Sequence, residues 1–123
     1  MHSFDENLAE TIGVEEAILV HQLHQIQEDI EFFSPTIRKI EGYVFFTIKE
    51  KQIRDKFKYL SKSTLNRTLS QLAKKAWFFR HKFSEQKTWS YHVNTKRIRD
   101  FKMEIYWTTD QIQDFSLNIS KIL

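Results

Sequence analysis

The sequence contains no cysteine, one proline and two glycines among its 123 residues. Without cysteine the chain forms no disulfide, holds no zinc through thiolates and has no cysteine nucleophile. With glycine only at Gly13 and Gly42, neither a GxGxxG nor a GxxxxGK phosphate-binding loop can be written. So few residues that break regular structure favour helices over a chain made mainly of loops and turns.

The chain also lacks a long apolar run and a hydrophobic leader. No run approaches the ~18 residues of a transmembrane helix, and residues 1–10 carry acids where a secretory signal would be apolar. Hydrophobic residues make up 41% and charged residues 28%, the balance of a soluble globular protein. We therefore expect a single cytoplasmic domain over residues 1–123, with no membrane partner.

The formal net charge of +3 conceals three segments of different charge. Residues 1–48 hold two basic and nine acidic residues, residues 49–102 hold sixteen basic and four acidic, and residues 103–123 hold one basic and three acidic. A middle segment with a net charge of +12 suggests a polyanionic partner. Attraction between the acidic and basic segments within one fold is an equally open interpretation.

Residues 14–33 have the periodicity of a long amphipathic helix, with apolar residues at spacings of four and three along one stripe. Ser34 and Pro35 end it, because the residue before a proline resists the helical conformation. The stripe faces either the core or a second copy of the chain in a homodimer. The candidate dimer-interface residues are Leu19, Leu23, Ile26, Ile30 and Phe33.

The remainder predicts short strands alternating with helices. The aromatic and β-branched run 43–47 predicts a strand, and the capping-box pattern from Thr47 to Glu50 begins a helix to about Lys58. Ser61 is a good N-cap for a further helix to about Lys75. Residues 77–83 and 88–93 predict two strands joined by a loop of about four residues. After the basic stretch 96–99, Thr108 offers a cap for a last helix.

This order of helix, strand, helix, turn, helix and hairpin is that of a winged helix: an α+β, mostly helical fold, here with extra N- and C-terminal helices. The helix after the turn would lie in the DNA major groove, where polar and basic side chains read base edges and bind phosphates. The candidate recognition-helix residues are Ser61, Lys62, Ser63, Thr64, Asn66, Arg67, Ser70, Gln71 and Lys74. The candidate wing residues are Arg80, His81, Lys82 and Lys87. The alternative is a solvated helix face beside a solvated hairpin.

Two longer motifs carry a family resemblance: IGVEEAILVHQLH at 12–24 and YLSKSTLNRTLSQL at 59–72, with WSYHV at 89–93 matching the end of the wing. Residues 12–94 resemble the winged-helix domains of phage and plasmid replication-initiation proteins, including the N-terminal domain of DnaD-like replisome organisers. The resemblance implies that the helix beginning at Ser61, with Thr64 and Arg67, is the recognition helix. It also implies binding of double-stranded DNA in replication initiation, or in the regulation of a phage or other mobile element.

The sequence departs from this family in two places. The family has a glycine after the recognition helix, where the chain turns in the left-handed conformation, but this sequence has Ala76. Alanine tolerates that conformation poorly, so a different helix end is expected. The C-terminal helical extension 95–123 is too short for the second domain of a replisome organiser, so we expect a standalone module or a fragment.

Other functions find less support in the sequence. His21 and His24 are three residues apart without a third ligand in the pattern, and the acidic pairs have no neighbouring nucleophile. We therefore expect no enzyme, no metal and no cofactor. Two alternatives stay open: a transcriptional repressor, and a winged helix that binds a replication, host or phage protein as an inhibitor or adaptor, for example an anti-CRISPR protein.

Overall fold

The computed structural model describes residues 13–29, 36–47, 61–84 and 88–123. Within these ranges the elements are, in chain order, α1 (Val14–Glu28), β1 (Thr36–Ile40), β2 (Tyr43–Thr47), α2 (Lys62–Lys74), β3 (Phe78–His81), β4 (Ser90–Val93), α3 (Thr95–Lys102) and α4 (Thr109–Ser120). The strands form one antiparallel sheet in the order β1-β2-β4-β3. The α+β class is confirmed, with about half of the described residues in helices. Among those residues, no helix has the length and apolar character needed to cross a membrane.

Most predicted elements are found, several with shorter bounds. Strand β2 coincides with the predicted strand 43–47, and α2 with the predicted helix after Ser61. Helix α1 ends at Glu28 rather than at the predicted Phe33, with Asp29 as its C-cap. The hairpin strands β3 and β4 are shorter than predicted. The predicted helix between Thr47 and Lys58 lies outside the described residues.

Strand β1 is a finding that the sequence did not predict. It pairs with β2 through a two-residue turn, because Ile40 and Tyr43 are partners in the ladder. Both turn residues have positive φ, 49° at Glu41 and 83° at Gly42. Such a turn matches the twist of the two strands and favours glycine at its second position. The resulting hairpin places β1 at the sheet edge opposite β3.

One face of the sheet forms the main hydrophobic core. Its members from α1, α2, α3 and the strands include Leu65, Leu69, Leu72, Trp77, Phe78, Tyr91 and Ile98. The α1 residues Leu19, Leu23 and Ile26 lie in the same core and are at most 7% exposed. Their apolar surface is used within one chain, so the dimer interface predicted for these three is corrected to a core face. The other two candidates, Ile30 and Phe33, lie outside the described residues.

A second hydrophobic cluster lies around Phe45, Phe83 and Ile119. Successive side chains of a strand point to opposite faces, so Phe45 and Phe46 join different clusters. Ile119 comes from α4 and is fully buried. The C-terminal helix therefore covers the sheet face that α1 and α2 leave open.

The Gln27 side chain of α1 forms two hydrogen bonds with the backbone of strand β4. The Gln27 amide donates to the carbonyl of Val93 over 3.1 Å, and its Oε1 accepts from the Val93 amide over 2.7 Å. Two bonds from one side chain give the end of β4 the pairing that another strand would supply. They fix α1 against the strand that leads into α3.

Candidate nucleic-acid interface

Helix α2 begins at the N-cap that the sequence predicted. The Ser61 hydroxyl accepts from the backbone N–H of Thr64 over 3.2 Å and donates to the Thr64 hydroxyl over 2.8 Å. Thr64 is half-buried, and its carbonyl accepts from the Thr68 hydroxyl. These two candidate DNA-binding residues therefore stabilise the first turn of the helix.

The two faces of α2 differ sharply in chemistry. Its inner face is buried through Leu65, Thr68, Leu69 and Leu72. Its exposed candidates are all basic or polar: Lys62, Ser63, Arg67, Ser70, Gln71 and Lys74. The helix contains no acidic residue over Lys62–Lys74. Such a surface attracts phosphates and offers donors and acceptors suited to base edges.

The end of α2 corrects the expectation drawn from Ala76. This residue adopts the left-handed conformation with a φ of 63°. Its N–H donates to the carbonyl of Ala73 over 3.0 Å, and the Trp77 N–H donates to the carbonyl of Leu72 over 3.2 Å. These two bonds form a Schellman motif, which usually has glycine at the left-handed position. The helix therefore ends as it would with glycine.

Asn94 holds this helix end from the start of α3. Its side-chain amide donates to the Ala76 carbonyl over 2.9 Å, and its backbone N–H donates to the Trp77 carbonyl over 3.0 Å. Its Oδ1 accepts from the Arg97 N–H over 3.0 Å as the N-cap of α3. Asn94 is 4% exposed. One buried side chain thus joins the C-terminus of α2 to the N-terminus of α3.

Arg80, a predicted wing residue, lies against α2. Its Nη1 donates to the Asn66 carbonyl and the Ser70 hydroxyl, and its Nη2 to Asn66 Oδ1, each over 3.3 Å. Its guanidinium also lies 4.0 Å from the centre of the Trp89 ring. These contacts join β3 to α2 and engage the Asn66 side chain. Arg80 therefore positions the exposed face of α2, a role that depends on contacts between distant residues and has no local sequence signal.

The other wing candidates are distributed over both sides of the hairpin. Lys82 is exposed, with its ammonium 5.5 Å from the Trp89 ring centre. His81 lies on the opposite face, stacked on Phe79 and edge-on to Phe83. Lys87 lies outside the described residues. Among the described wing candidates, Lys82 is the exposed cation on the side of the hairpin that carries Trp89.

Helix α3 gives the basic stretch 96–99 a helical form that the sequence analysis did not assign. Lys96, Arg99 and Lys102 are exposed. Arg97 instead lies half-buried with its guanidinium 4.0 Å from the Trp77 ring centre, and this burial lowers its pKa to about 10. The signal that could have revealed α3 is Asn94, an N-cap residue three positions before Arg97.

The described ranges contain no group of three or more histidine, aspartate or glutamate side chains placed to hold a metal ion. Of the predicted DNA-binding residues, the structure describes an exposed polar and basic face on α2, Arg80 hydrogen-bonded to that helix, and Lys82 exposed on the hairpin.

Comparisons of the chain with protein-family models, curated proteins and solved structures give no match.

Proposed function

We propose that the protein is a winged-helix protein that binds double-stranded DNA through α2. The observation that carries this proposal is the acid-free outer face of α2, which exposes Lys62, Arg67, Gln71 and Lys74 while the opposite face is buried. A helix that enters the major groove needs donors and cations on its outward side and apolar anchors on the other.

The topology supports the same proposal. Helix α1, strand β2, helix α2 and the hairpin β3–β4 follow the chain order of a winged helix, and β4 lies between β2 and β3. Strand β1 and helix α4 are additions to this arrangement. Because α4 covers one face of the sheet, the proposed contacts concentrate on α2 and the Lys82 side of the hairpin.

The exposed side chains divide into two proposed roles. Arg67 and Gln71 lie one turn apart on α2 and carry groups that form bidentate bonds to guanine and adenine. Lys62, Lys74 and Lys82 would bind phosphates and fix the register. The motifs at 12–24 and 59–72 support a role in replication initiation or in the regulation of a phage or other mobile element. A transcriptional repressor would use the same surface.

Charge reversal at Arg67 tests this proposal. We expect Arg67→Glu to weaken duplex binding by about 5- to 150-fold, since a good bidentate base contact contributes about 1–3 kcal/mol. Lys39→Glu makes the same change of sign on β1, at the opposite sheet edge from β3, and serves as the control. Fluorescence anisotropy over a salt series measures both variants. Unchanged binding by Arg67→Glu, or no binding by the wild type at low salt, refutes the proposal.

One observation favours protein binding as a second candidate function. The segment after α3 exposes Met103, Ile105 and Tyr106 by 64%, 49% and 69%. Exposed apolar residues that lie close together mark protein interaction surfaces. The two functions are separated by the duplex assay: wild-type binding that Arg67→Glu weakens and Tyr106→Ser leaves unchanged supports α2 as the functional surface, whereas no wild-type binding at low salt favours protein binding.

A further inference from the structure

We infer that α3 is a second DNA-binding element, in which Lys96, Arg99 and Lys102 bind the duplex phosphates that lie beyond the C-terminal end of α2. The inference rests on the proposed function, because α3 would extend the surface that α2 offers to the same duplex. Lys96 and Arg99 belong to the basic stretch 96–99 of the sequence, and Lys102 follows it on the same helix.

The N-cap of α3 lies at the C-terminal end of α2. The bond from Asn94 to the Ala76 carbonyl spans 2.9 Å. Exposed Lys75 directly precedes Ala76, and exposed Lys96 follows Asn94 by two residues. The Asn94 N–H also donates to the Trp77 carbonyl over 3.0 Å. Two hydrogen bonds therefore join the C-terminal end of α2 to the N-cap of α3, and each side of this junction carries an exposed lysine within two residues.

Among the described residues, the exposed cations of α3 form no ion pair with a carboxylate. The one acidic residue of α3, Asp100, is half-buried, and its Oδ2 accepts from Trp107 Nε1 over 3.0 Å. This hydrogen bond engages the carboxylate, while Lys96, Arg99 and Lys102 remain exposed. Glu104, two residues beyond α3, is the nearest exposed carboxylate in the chain after the helix. Within α3 itself, three exposed cations and a hydrogen-bonded, half-buried carboxylate give the electrostatic character of a phosphate-binding surface.

The position of Lys96 also breaks a local rule of helix stability. The first turn of α3 contains no acidic residue, although the positive end of the helix dipole favours one there. Arg97 in this turn is explained by its packing on Trp77, but Lys96 is exposed. Departures from local preference are expected where a residue serves function, and an external phosphate would offset the unfavourable charge.

A duplex fits these observations better than a single strand. Helices α2 and α3 contain one aromatic residue between them, Phe101, whose ring packs edge-on against Trp77 at 5.7 Å. Single-strand binding uses exposed aromatic rings on which bases stack. Exposed cations without exposed rings on these two helices instead suit contacts to the phosphate backbone of a duplex.

The test compares two double variants of the full chain with equal loss of charge. Lys96→Ala/Lys102→Ala removes two cations of α3. Lys39→Ala/Lys121→Ala removes one from β1 and one that follows α4. Binding to a random-sequence duplex is measured by fluorescence anisotropy between about 50 and 200 mM salt. The salt slope is the steepness with which the logarithm of the binding constant falls with the logarithm of the salt concentration, and each lost phosphate contact reduces it by about 0.9.

We expect the α3 variant to lower the slope by about 1.8, so that the salt-induced weakening over this range shrinks by about 12-fold. The control should leave the slope unchanged. At low salt the α3 variant should bind every duplex sequence more weakly, and the loss of affinity should be equal from one sequence to another, since phosphate contacts carry no sequence information. Thermal unfolding establishes whether both double variants fold. If Lys96→Ala/Lys102→Ala does not fold, Lys96→Gln/Lys102→Gln replaces it.

Four results would overturn the inference. A wild-type slope in the α3 variant, with Arg67→Glu still weakening binding, removes α3 from the interface and leaves the proposed function intact. Equal slope changes in the α3 variant and the control assign the effect to net charge alone. A slope change on single strands but not on duplex contradicts the duplex geometry. Absence of wild-type duplex binding refutes the proposed function and this inference together.

Discussion

Asn94 makes two different hydrogen bonds from one buried side chain, and its substitution should destabilise the fold more than the loss of a cap alone. In Asn94→Ala, the Arg97 N–H loses its cap and the Ala76 carbonyl loses its 2.9 Å donor. Loss of an N-cap costs about 1 kcal/mol. Ala76 is 0% exposed, and a buried acceptor left without a donor costs about 1–3 kcal/mol. The expected decrease in the free energy of unfolding is therefore about 2–4 kcal/mol.

Urea denaturation measures this decrease, and an unchanged m-value shows that the native and unfolded states stay comparable. Thr108→Ala is the matched control, because the Thr108 side chain caps α4 at an exposed position by accepting from the Gln111 N–H. It should cost about 1 kcal/mol. Asn94→Asp, measured well above the ordinary carboxyl pKa, keeps the acceptor for Arg97 and removes the donor to Ala76. Because the new carboxylate is buried and one of its oxygens faces the Ala76 carbonyl, the cost of Asn94→Asp should be at least that of Asn94→Ala. Equal costs for Asn94→Ala and Thr108→Ala would refute the assigned role of the Ala76 bond.

Two further predictions concern backbone conformation and pH. Glu104 is exposed with a φ of 60°. Glu104→Gly should therefore stabilise the protein by about 0.5–1 kcal/mol, which is the left-handed strain of about 1–2 kcal/mol less the backbone entropy that glycine loses. Arg99→Gly, at an exposed position in the interior of α3, should instead destabilise the protein by about 1 kcal/mol in the same urea assay. Burial lowers the pKa of His92 below 6.5, although its hydrogen bond to Val44 opposes this. The neutral ring is therefore favoured in the fold, and its contribution to stability is present above pH 6.5 and lost as pH falls through the lowered pKa. His92→Gln should flatten the pH dependence of the unfolding free energy in this window, and an unchanged profile contradicts the assignment.

The parts of the fold that the sequence predicted are those governed by local rules. Ser61 and Thr108 were identified as N-caps, and both hydroxyls accept the expected backbone N–H groups. Leu65, Leu69 and Leu72 follow each other at helical spacings of four and three, which predicts one inward face, and all three are buried. Caps act within one turn and periodicity within one helix, so no tertiary contact is needed to recognise them.

Tertiary contacts decide the features that the sequence did not predict. Strand β1 contains Arg38 and Lys39 in succession, which hides the alternation of a half-buried strand. Arg38 nevertheless lies 4.1 Å from the Phe83 ring centre, a contact between residues far apart in the chain. Arg80 was assigned to DNA by its charge, whereas its hydrogen bonds to Asn66 and Ser70 hold α2 against the sheet. Charge alone does not distinguish a cation that binds a ligand from one that supports a neighbouring helix.

The scarcity of glycine links the fold to the proposed interface. Both glycines have positive φ, and so do Glu41, Ala76 and Glu104. Left-handed backbone costs a residue with a Cβ about 1–2 kcal/mol, and at Ala76 the surrounding structure must supply that amount. Asn94 does so through a bond comparable in magnitude to the strain. The end of α2, and with it the direction of its exposed face, therefore depends on a residue at the start of α3. This dependence gives a structural reason for the two helices to act on one ligand.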